Sequence, residues 1–153
     1  MDAQDAGKKF DAVLSTLLDR TRASRTTLRI DHPALGFHVN DPAGEARRPD
    51  EKSLRGVTSL DQRALETVKW LDREQRPLIQ SDLLNTDIPA PAALIEVYGA
   101  RAQMLGPLIR DNALQGWVSV HYCKGPREWS EADRAALDDA VRSVNAILAE
   151  TAA

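Results

Sequence analysis

Arg101-Ala102-Gln103-Met104-Leu105-Gly106-Pro107-Leu108 and Leu114-Gln115-Gly116-Trp117-Val118-Ser119-Val120-His121, joined across Asp111-Asn112-Ala113, read as the two strands of a hairpin. Residues i and i+2 of a strand share a face. The length of the turn then decides which face of one strand continues which face of the other. A two-residue turn at Asp111-Asn112 puts Gln103 beside Val118, Val120 and Tyr122, which mixes polar with apolar on both faces. A three-residue turn, Asp111-Asn112-Ala113, sets Gln103 opposite His121 and Leu105 opposite Ser119. Asn tolerates the left-handed conformation such a turn needs. Face one then carries Arg101, Gln103, Leu105, Trp117, Ser119 and His121. Face two carries Ala102, Met104, Gly106, Leu108, Val118, Val120 and Tyr122. The three-residue turn separates the two sets better and is the expectation. Face one is unusual for strands that meet solvent and resembles the wall of a small-molecule pocket.

The segment Ser24 to Asp31 sorts in the same way. Thr26, Leu28 and Ile30 form an apolar face; Arg25, Thr27, Arg29 and Asp31 form a polar one. A second, short strand is expected at Gly36-Phe37-His38-Val39, and a loop from Asn40 to Lys52. Pro77 to Ser81 is a further strand candidate. Helices are predicted over Lys9–Ala23, about Ser59–Glu74 and Ala92–Tyr98, with Asn85 to Pro91 as a loop. Trp70 lies off the Leu60, Ala64, Leu65, Val68, Leu71 stripe, so a second face of that helix needs cover. A final helix follows Ser130, an N-cap whose approximate capping box is completed by Asp133. Its apolar stripe is Leu137, Val141, Val144 and Leu148.

This order predicts an α+β fold with a mostly antiparallel sheet of five to six strands. The terminal helices need an apolar sheet face, and face two supplies it. Burying about four Val, Leu and Met side chains there contributes on the order of 1.5–3 kcal/mol each.

The 153 residues predict one domain over residues 1–153. The 42% hydrophobic and 28% charged fractions are those of a soluble globular protein. A net charge of −3 argues against nucleic acid as a partner. The single cysteine, Cys123, excludes an internal disulfide and favours a cytoplasmic location. The start, Met1-Asp2-Ala3-Gln4-Asp5, is unlike a signal peptide, and no apolar run suggests a membrane span. Gly-rich phosphate loops, Ser/His/Asp orders and paired zinc motifs are missing.

The two hairpin strands, followed by Pro126-Arg127-Glu128-Trp129-Ser130 and a closing helix, resemble a GAF domain. The resemblance spans nearly the whole chain. Its later segments are similar to the phytochrome branch. It implies a central sheet with helices on one face and a ligand pocket on the other. It also implies that the first strand lies beside the second hairpin strand, so that Arg25, Thr27 and Arg29 flank Ser119 and His121. His121 falls where phytochromes keep a pocket histidine. The sequence departs from that branch in two places. No cysteine stands where a bilin would be attached, and Thr86-Asp87-Ile88-Pro89 does not convincingly reproduce the bilin motif. No chromophore or other cofactor is therefore expected. Free methionine sulfoxide reductases in this family use several cysteines, and one cannot run their disulfide cycle internally.

The expected ligand-binding residues are Arg25, Thr27, Arg29, Tyr98, Arg101, Gln103, Trp117, Ser119 and His121. Each has a plainer reading. Arg25 and Arg29 are either solvated edge charges or a pair gripping an anion by bidentate hydrogen bonds, with Asp31 a competing partner for Arg29. His121 is either a buried histidine satisfied by Ser119 or Gln103, or a ligand contact. No second metal ligand has a usable spacing. Trp117 and Tyr98 are core or aromatic pocket wall. Trp129 is expected to pack its loop onto the sheet, and Cys123 to be an inert thiol.

The leading expectation is a sensory module in signal transduction that binds a small anion, an organic or aromatic carboxylate. Its output would pass through a partner or a homodimer built on the two terminal helices. The alternatives are a small enzyme with His121 as general acid or base, and an unliganded dimerisation module.

Overall fold

Asp2 opens the first helix, α1 (Ala3–Thr21), by accepting the Asp5 amide at 2.8 Å. The helix ends at Arg22, which takes a left-handed conformation. It begins six residues before the predicted start at Lys9, because Ala6 is already part of the buried stripe with Phe10, Leu14, Leu17 and Leu18. The chain continues as β1 (Arg25–Ile30), β2 (Gly44–Arg47), α2 (Glu66–Glu74), β3 (Leu78–Gln80), α3 (Ala92–Glu96), β4 (Ala102–Arg110), β5 (Ala113–Tyr122) and α4 (Glu131–Thr151). The computed structural model describes residues 1–151.

The five strands form one sheet in the order β2-β1-β5-β4-β3, every neighbouring pair antiparallel. The fold is α+β, as expected. The register sets Gln103 opposite His121 and Leu105 opposite Ser119. On the other side of β5, Arg25 faces His121, Thr27 faces Ser119 and Arg29 faces Trp117.

That register is the one expected of a three-residue turn, but the turn has two residues. Arg110 pairs with Ala113, and Asp111 and Asn112 both have positive φ, 52° and 62°. This is the backbone of a tight hairpin turn whose twist matches the strands. The pairing then steps from Ile109–Leu114 to Leu108–Gly116 and skips Gln115. The extra residue of this bulge restores the face alternation that the expected third turn residue would have supplied. Gly116 follows the bulge where β5 presses against β1. A Cβ there would stand 2.1 Å from the Arg29 carbonyl oxygen.

Helices α1 and α4 cover face two. Phe10, Leu14, Leu28, Ile30, Met104, Leu108, Val118, Val120, Leu137 and Val144 form the core between them and the sheet. Gly106 lets α4 approach closely, since a Cβ would meet Val141 at 2.9 Å and Leu137 at 3.0 Å. The capping box is reciprocal: the Asp133 amide donates to Ser130 Oγ at 3.0 Å, and the Ser130 amide to Asp133 Oδ2 at 2.9 Å. The opposite sheet face builds a second apolar cluster from Val39, Val68, Leu71, Leu78, Leu105, Leu114 and Trp117. Trp70 packs against its edge, under the guanidinium of Arg76.

Two expected elements lie elsewhere. The second strand is Gly44–Arg47, inside the stretch expected as a loop. Residues 36–39 instead close a turn. Pro33–Leu35 form a 3-10 turn, His32 bridges Phe37, and the Asp31 carboxylate accepts the Val39 amide at 3.0 Å. The central helix starts at Glu66 rather than Ser59. The residues before it, including a 3-10 turn at Gln62–Ala64, are drawn across the sheet by tertiary bonds. Asn40 Oδ1 accepts the Gln62 amide at 3.0 Å, and Arg63 reaches both Asp31 and the Leu114 carbonyl. Among the described residues, no helix is long and apolar enough to cross a membrane.

Candidate functional site

Between face one and the segments that cross it lies a cavity of about 200 Å³. Its floor is the sheet: Thr27 and Arg29 from β1, Gln103 and Leu105 from β4, Trp117, Ser119 and His121 from β5. Its roof comes from three stretches. Leu54, Val57, Ser59 and Leu60 belong to the crossing segment, Thr67 and Val68 to α2, and Pro91, Leu94 and Tyr98 to the neighbourhood of α3. The floor is polar and the roof mainly apolar.

Seven of the nine expected residues line this cavity: Thr27, Arg29, Tyr98, Gln103, Trp117, Ser119 and His121. Arg25 and Arg101 do not line it. Arg25 is fully buried, and protein atoms take up its guanidinium. Nε donates to the Lys52 carbonyl at 2.9 Å and Nη2 to the Tyr98 carbonyl at 3.3 Å. Nη1 stands 3.3 Å from His121 Nδ1, and Glu51 Oε2 lies 3.7 Å from Nη2. Arg101 precedes β4 and turns away, donating to the carbonyls of Ala100 at 3.2 Å and Ile95 at 3.4 Å.

Arg29 differs from both. It is 6% exposed, and its Nη1 donates to the Val39 carbonyl at 3.0 Å. Among the described residues no carboxylate lies within ion-pairing distance of it. Asp31, its expected competitor, is held instead by Arg63 through Nε at 3.1 Å. Burial costs the Arg29 cation hydration and lowers its pKa to about 10, against the pull of Asp41 and Glu45. It still carries its charge at neutral pH. For Asp31, burial pushes the carboxyl up. The hydrogen bonds from Arg63 and the Val39 amide outweigh this and hold it below the usual carboxylate value.

His121 is 4% exposed. Burial, and then the positive charges of Arg25 and Arg29, hold it well below the ordinary imidazole value. The ring is neutral at pH 7. Gln103 is tied down by a 2.7 Å bond from its Nε2 to Gln80 Oε1, while Gln80 donates to Thr86 and to the Ile88 carbonyl. Gln103 itself lines the cavity.

The roof residues Leu54 to Leu65 were not legible as cavity wall in the sequence. The spacing assigns Leu60 and Leu65 to a helical stripe, and Leu54 and Val57 lie before it with no pattern of their own. Cys123 lies beyond the cavity. Its thiol donates to the Tyr98 carbonyl at 3.5 Å, and burial raises its pKa. Trp129 is buried, and its indole N–H donates to the Gln80 carbonyl at 3.1 Å, which packs the loop onto the sheet as expected. Among the described residues, no group of three His, Cys, Asp or Glu is placed to hold a metal ion.

An antiparallel sheet with terminal helices on one face and a roofed cavity on the other is the architecture of a GAF-like domain. Over residues 5–148 the chain matches the model of the GAF domain. The protein belongs to the GAF family, whose members are in general small-molecule- or chromophore-binding sensory modules. No curated protein matches its sequence. Among solved structures it is similar to the blue-light-absorbing form of the PixJ GAF domain of Thermosynechococcus elongatus. Identity there is 13%, over 94% of this chain and 85% of that one, with a TM-score of 0.74. It is also similar to the type II free methionine-R-sulfoxide reductase of Thermoplasma acidophilum, 9% identical over 97% and 95% of the chains, TM-score 0.70. The chromophore-binding domain of the bacteriophytochrome RpBphP3 of R. palustris is 19% identical over 97% of this chain and 58% of that one, TM-score 0.69. At these identities the likeness is one of fold.

Proposed function

We propose that this GAF domain is a sensor that encloses a compact organic anion, a carboxylate with an apolar or aromatic body, and carries out no chemistry on it. The supporting observation is Arg29, a buried cation on the cavity wall whose guanidinium has one hydrogen bond and no carboxylate partner among the described residues. A buried charge without a partner is costly. A ligand carboxylate supplies the missing charge and bidentate geometry. Ser119, Thr27 and Gln103 complete a polar floor, and Leu54, Leu60, Val68 and Leu94 roof the apolar body. The cavity is smaller than the roughly 300–1,000 Å³ of drug-sized sites, which favours a ligand of one ring or less.

Other chemistries fit less well. The only thiol, Cys123, which a covalently attached tetrapyrrole would need, does not line the cavity. Disulfide-based reduction inside one chain needs a second cysteine. A general-base histidine has its far nitrogen oriented by a carboxylate or carbonyl, whereas Arg25 stands there instead.

A cytoplasmic location and output through a homodimer belong to the same reading. Leu14, Leu17, Leu137 and Leu148 are enclosed in the chain's own core, so a dimer would use the outward sides of α1 and α4. Native mass spectrometry of the purified protein, followed by calorimetric titration with benzoate and acetate, tests the ligand class. Saturable binding of benzoate, stronger than that of acetate, supports it. Absence of any retained small molecule together with no binding of either acid overturns it.

A further inference from the structure

Arg25 is the largest fully buried charged side chain of the molecule and lies outside the cavity wall. Its strand position, directly opposite His121 on β5, explains the contact between them. A guanidinium has five N–H donors and no acceptor. At 3.3 Å from Arg25 Nη1, His121 Nδ1 must therefore present a lone pair. A proton on Nδ1 would point one N–H at another inside a buried site. A neutral imidazole with a bare Nδ1 carries its proton on Nε2.

We infer that Arg25 is a positioning residue that fixes His121 as the Nε2–H tautomer and so makes the His121 end of the cavity a hydrogen-bond donor. The inference rests on the proposed ligand site only for what that donor is used for. Among the described residues the one hydrogen-bond contact of the His121 ring is that of Nδ1 with Arg25, and the ring lines the cavity. A ligand seated there therefore presents an acceptor, an oxygen or an unprotonated ring nitrogen, to His121. The same guanidinium holds the carbonyl of Lys52, before the crossing segment, and that of Tyr98, after α3. Its ring contact with Tyr98, 5.7 Å from Cζ to the ring centre, adds to this. One side chain thus sets the imidazole and anchors two parts of the roof.

The test is long-range ¹H–¹⁵N correlation spectroscopy of histidine-labelled protein at pH 7, without ligand. His121→Gln assigns the ring against His32 and His38. The expected wild-type pattern is an unprotonated Nδ1 and a protonated Nε2. In Arg25→Met the Nδ1–H form gains population, and the two ring nitrogen shifts move toward each other. Arg25→Lys, which keeps the charge without the rigid fork, shifts the same way and serves if the methionine variant fails to fold. A wild-type His121 protonated on Nδ1, or doubly protonated, overturns the inference, as does an unchanged pattern in a folded Arg25 variant. The spectrum needs no anion, so it fails independently of the proposed ligand class.

Discussion

Arg29 Nη1 donates to the Val39 carbonyl at 3.0 Å, and that bond is the guanidinium's one hydrogen bond among the described residues. A cation so placed weakens the free fold and strengthens an anion complex. Replacing a buried charge by an apolar side chain of similar length is often neutral or stabilising. Arg29→Met is therefore expected to leave the melting temperature unchanged or raise it by a few degrees. The same variant is expected to lose about tenfold or more in benzoate affinity, the scale of a charged hydrogen bond at ~1.5 kcal/mol. Differential scanning fluorimetry and calorimetry check the two halves. Equal affinity in variant and wild type removes Arg29 from the site.

His121 makes stability depend on pH with a definite sign. Its folded pKa is depressed, so between that value and the unfolded one, near 6.5, the unfolded chain binds the proton and the folded chain does not. The stabilisation is complete above pH 6.5 and is lost as pH falls below it. The slope approaches at most ~1.4 kcal/mol per pH unit. Above pH 5 the carboxylates contribute little of this. Urea unfolding at pH 7.5, 6.5, 6.0 and 5.5 should show the decline in wild type and a much flatter profile in His121→Gln. Parallel profiles would mean that the imidazole takes up its proton as readily in the fold as in the unfolded chain.

Face alternation was the legible part of this fold. Alternate residues of β1 and β5 carry it without reference to anything distant, so the Thr27, Ser119 and His121 wall follows from pleating alone. The turn was misread because a two-residue turn with a bulge and a three-residue turn leave the same pattern downstream. Local spacing does not tell them apart. The shift of the second strand to Gly44–Arg47 has another cause: that strand exists because β1 offers an open edge, and Gly44 fits beneath Phe10 and Leu14. The roof is similar. Its path depends on Arg63 meeting Asp31 and Gln62 meeting Asn40, pairs separated by 32 and 22 residues. The roles of Arg25 and Arg29 are not separable by sequence either. Both are arginines on one strand face, and only their neighbours make one a ligand candidate and the other a scaffold.

The bulge makes a sharp prediction at Gly116. A methyl group there would sit 2.1 Å from a backbone oxygen of the neighbouring strand, a contact no rotamer relieves. Gly116→Ala should cost more than the ~1–3 kcal/mol of ordinary overpacking. A fall in the urea midpoint smaller than that of a conservative core change such as Val118→Ala would mean that β5 does not press on β1 here.

In the turn, Asp111 and Asn112 hold φ values of 52° and 62°, a conformation that asparagine tolerates and glycine adopts freely. Asn112→Gly is expected to be neutral or to stabilise by a few tenths of a kcal/mol, whereas Asn112→Val destabilises by about 1 kcal/mol or more. A three-residue loop ending at Ala113 would instead make Ala113→Gly the stabilising change. Thermal melts of the three variants discriminate the two turns.

The start of α4 is clamped twice. Ser130 and Asp133 exchange capping bonds, and Arg127 Nη2 lies 3.2 Å from both Asp133 oxygens while also donating to the Thr21 carbonyl. The guanidinium lies over two aromatic rings, 4.4 Å from the centre of Trp129 and 4.9 Å from that of Tyr122. Ser130→Ala removes one cap and should cost ~1 kcal/mol. Asp133→Ala removes the other cap and leaves Arg127, which is largely buried, without its counter-charge. It should cost distinctly more, about 2–4 kcal/mol. The separation is testable by a double-mutant cycle. If the pair acts as a unit, Arg127→Ala in the Asp133→Ala background costs less than in wild type, by ~1 kcal/mol or more. Strict additivity would show that Arg127 acts through its aromatic contacts and its bond to the Thr21 carbonyl, and that the capping box holds α4 without it.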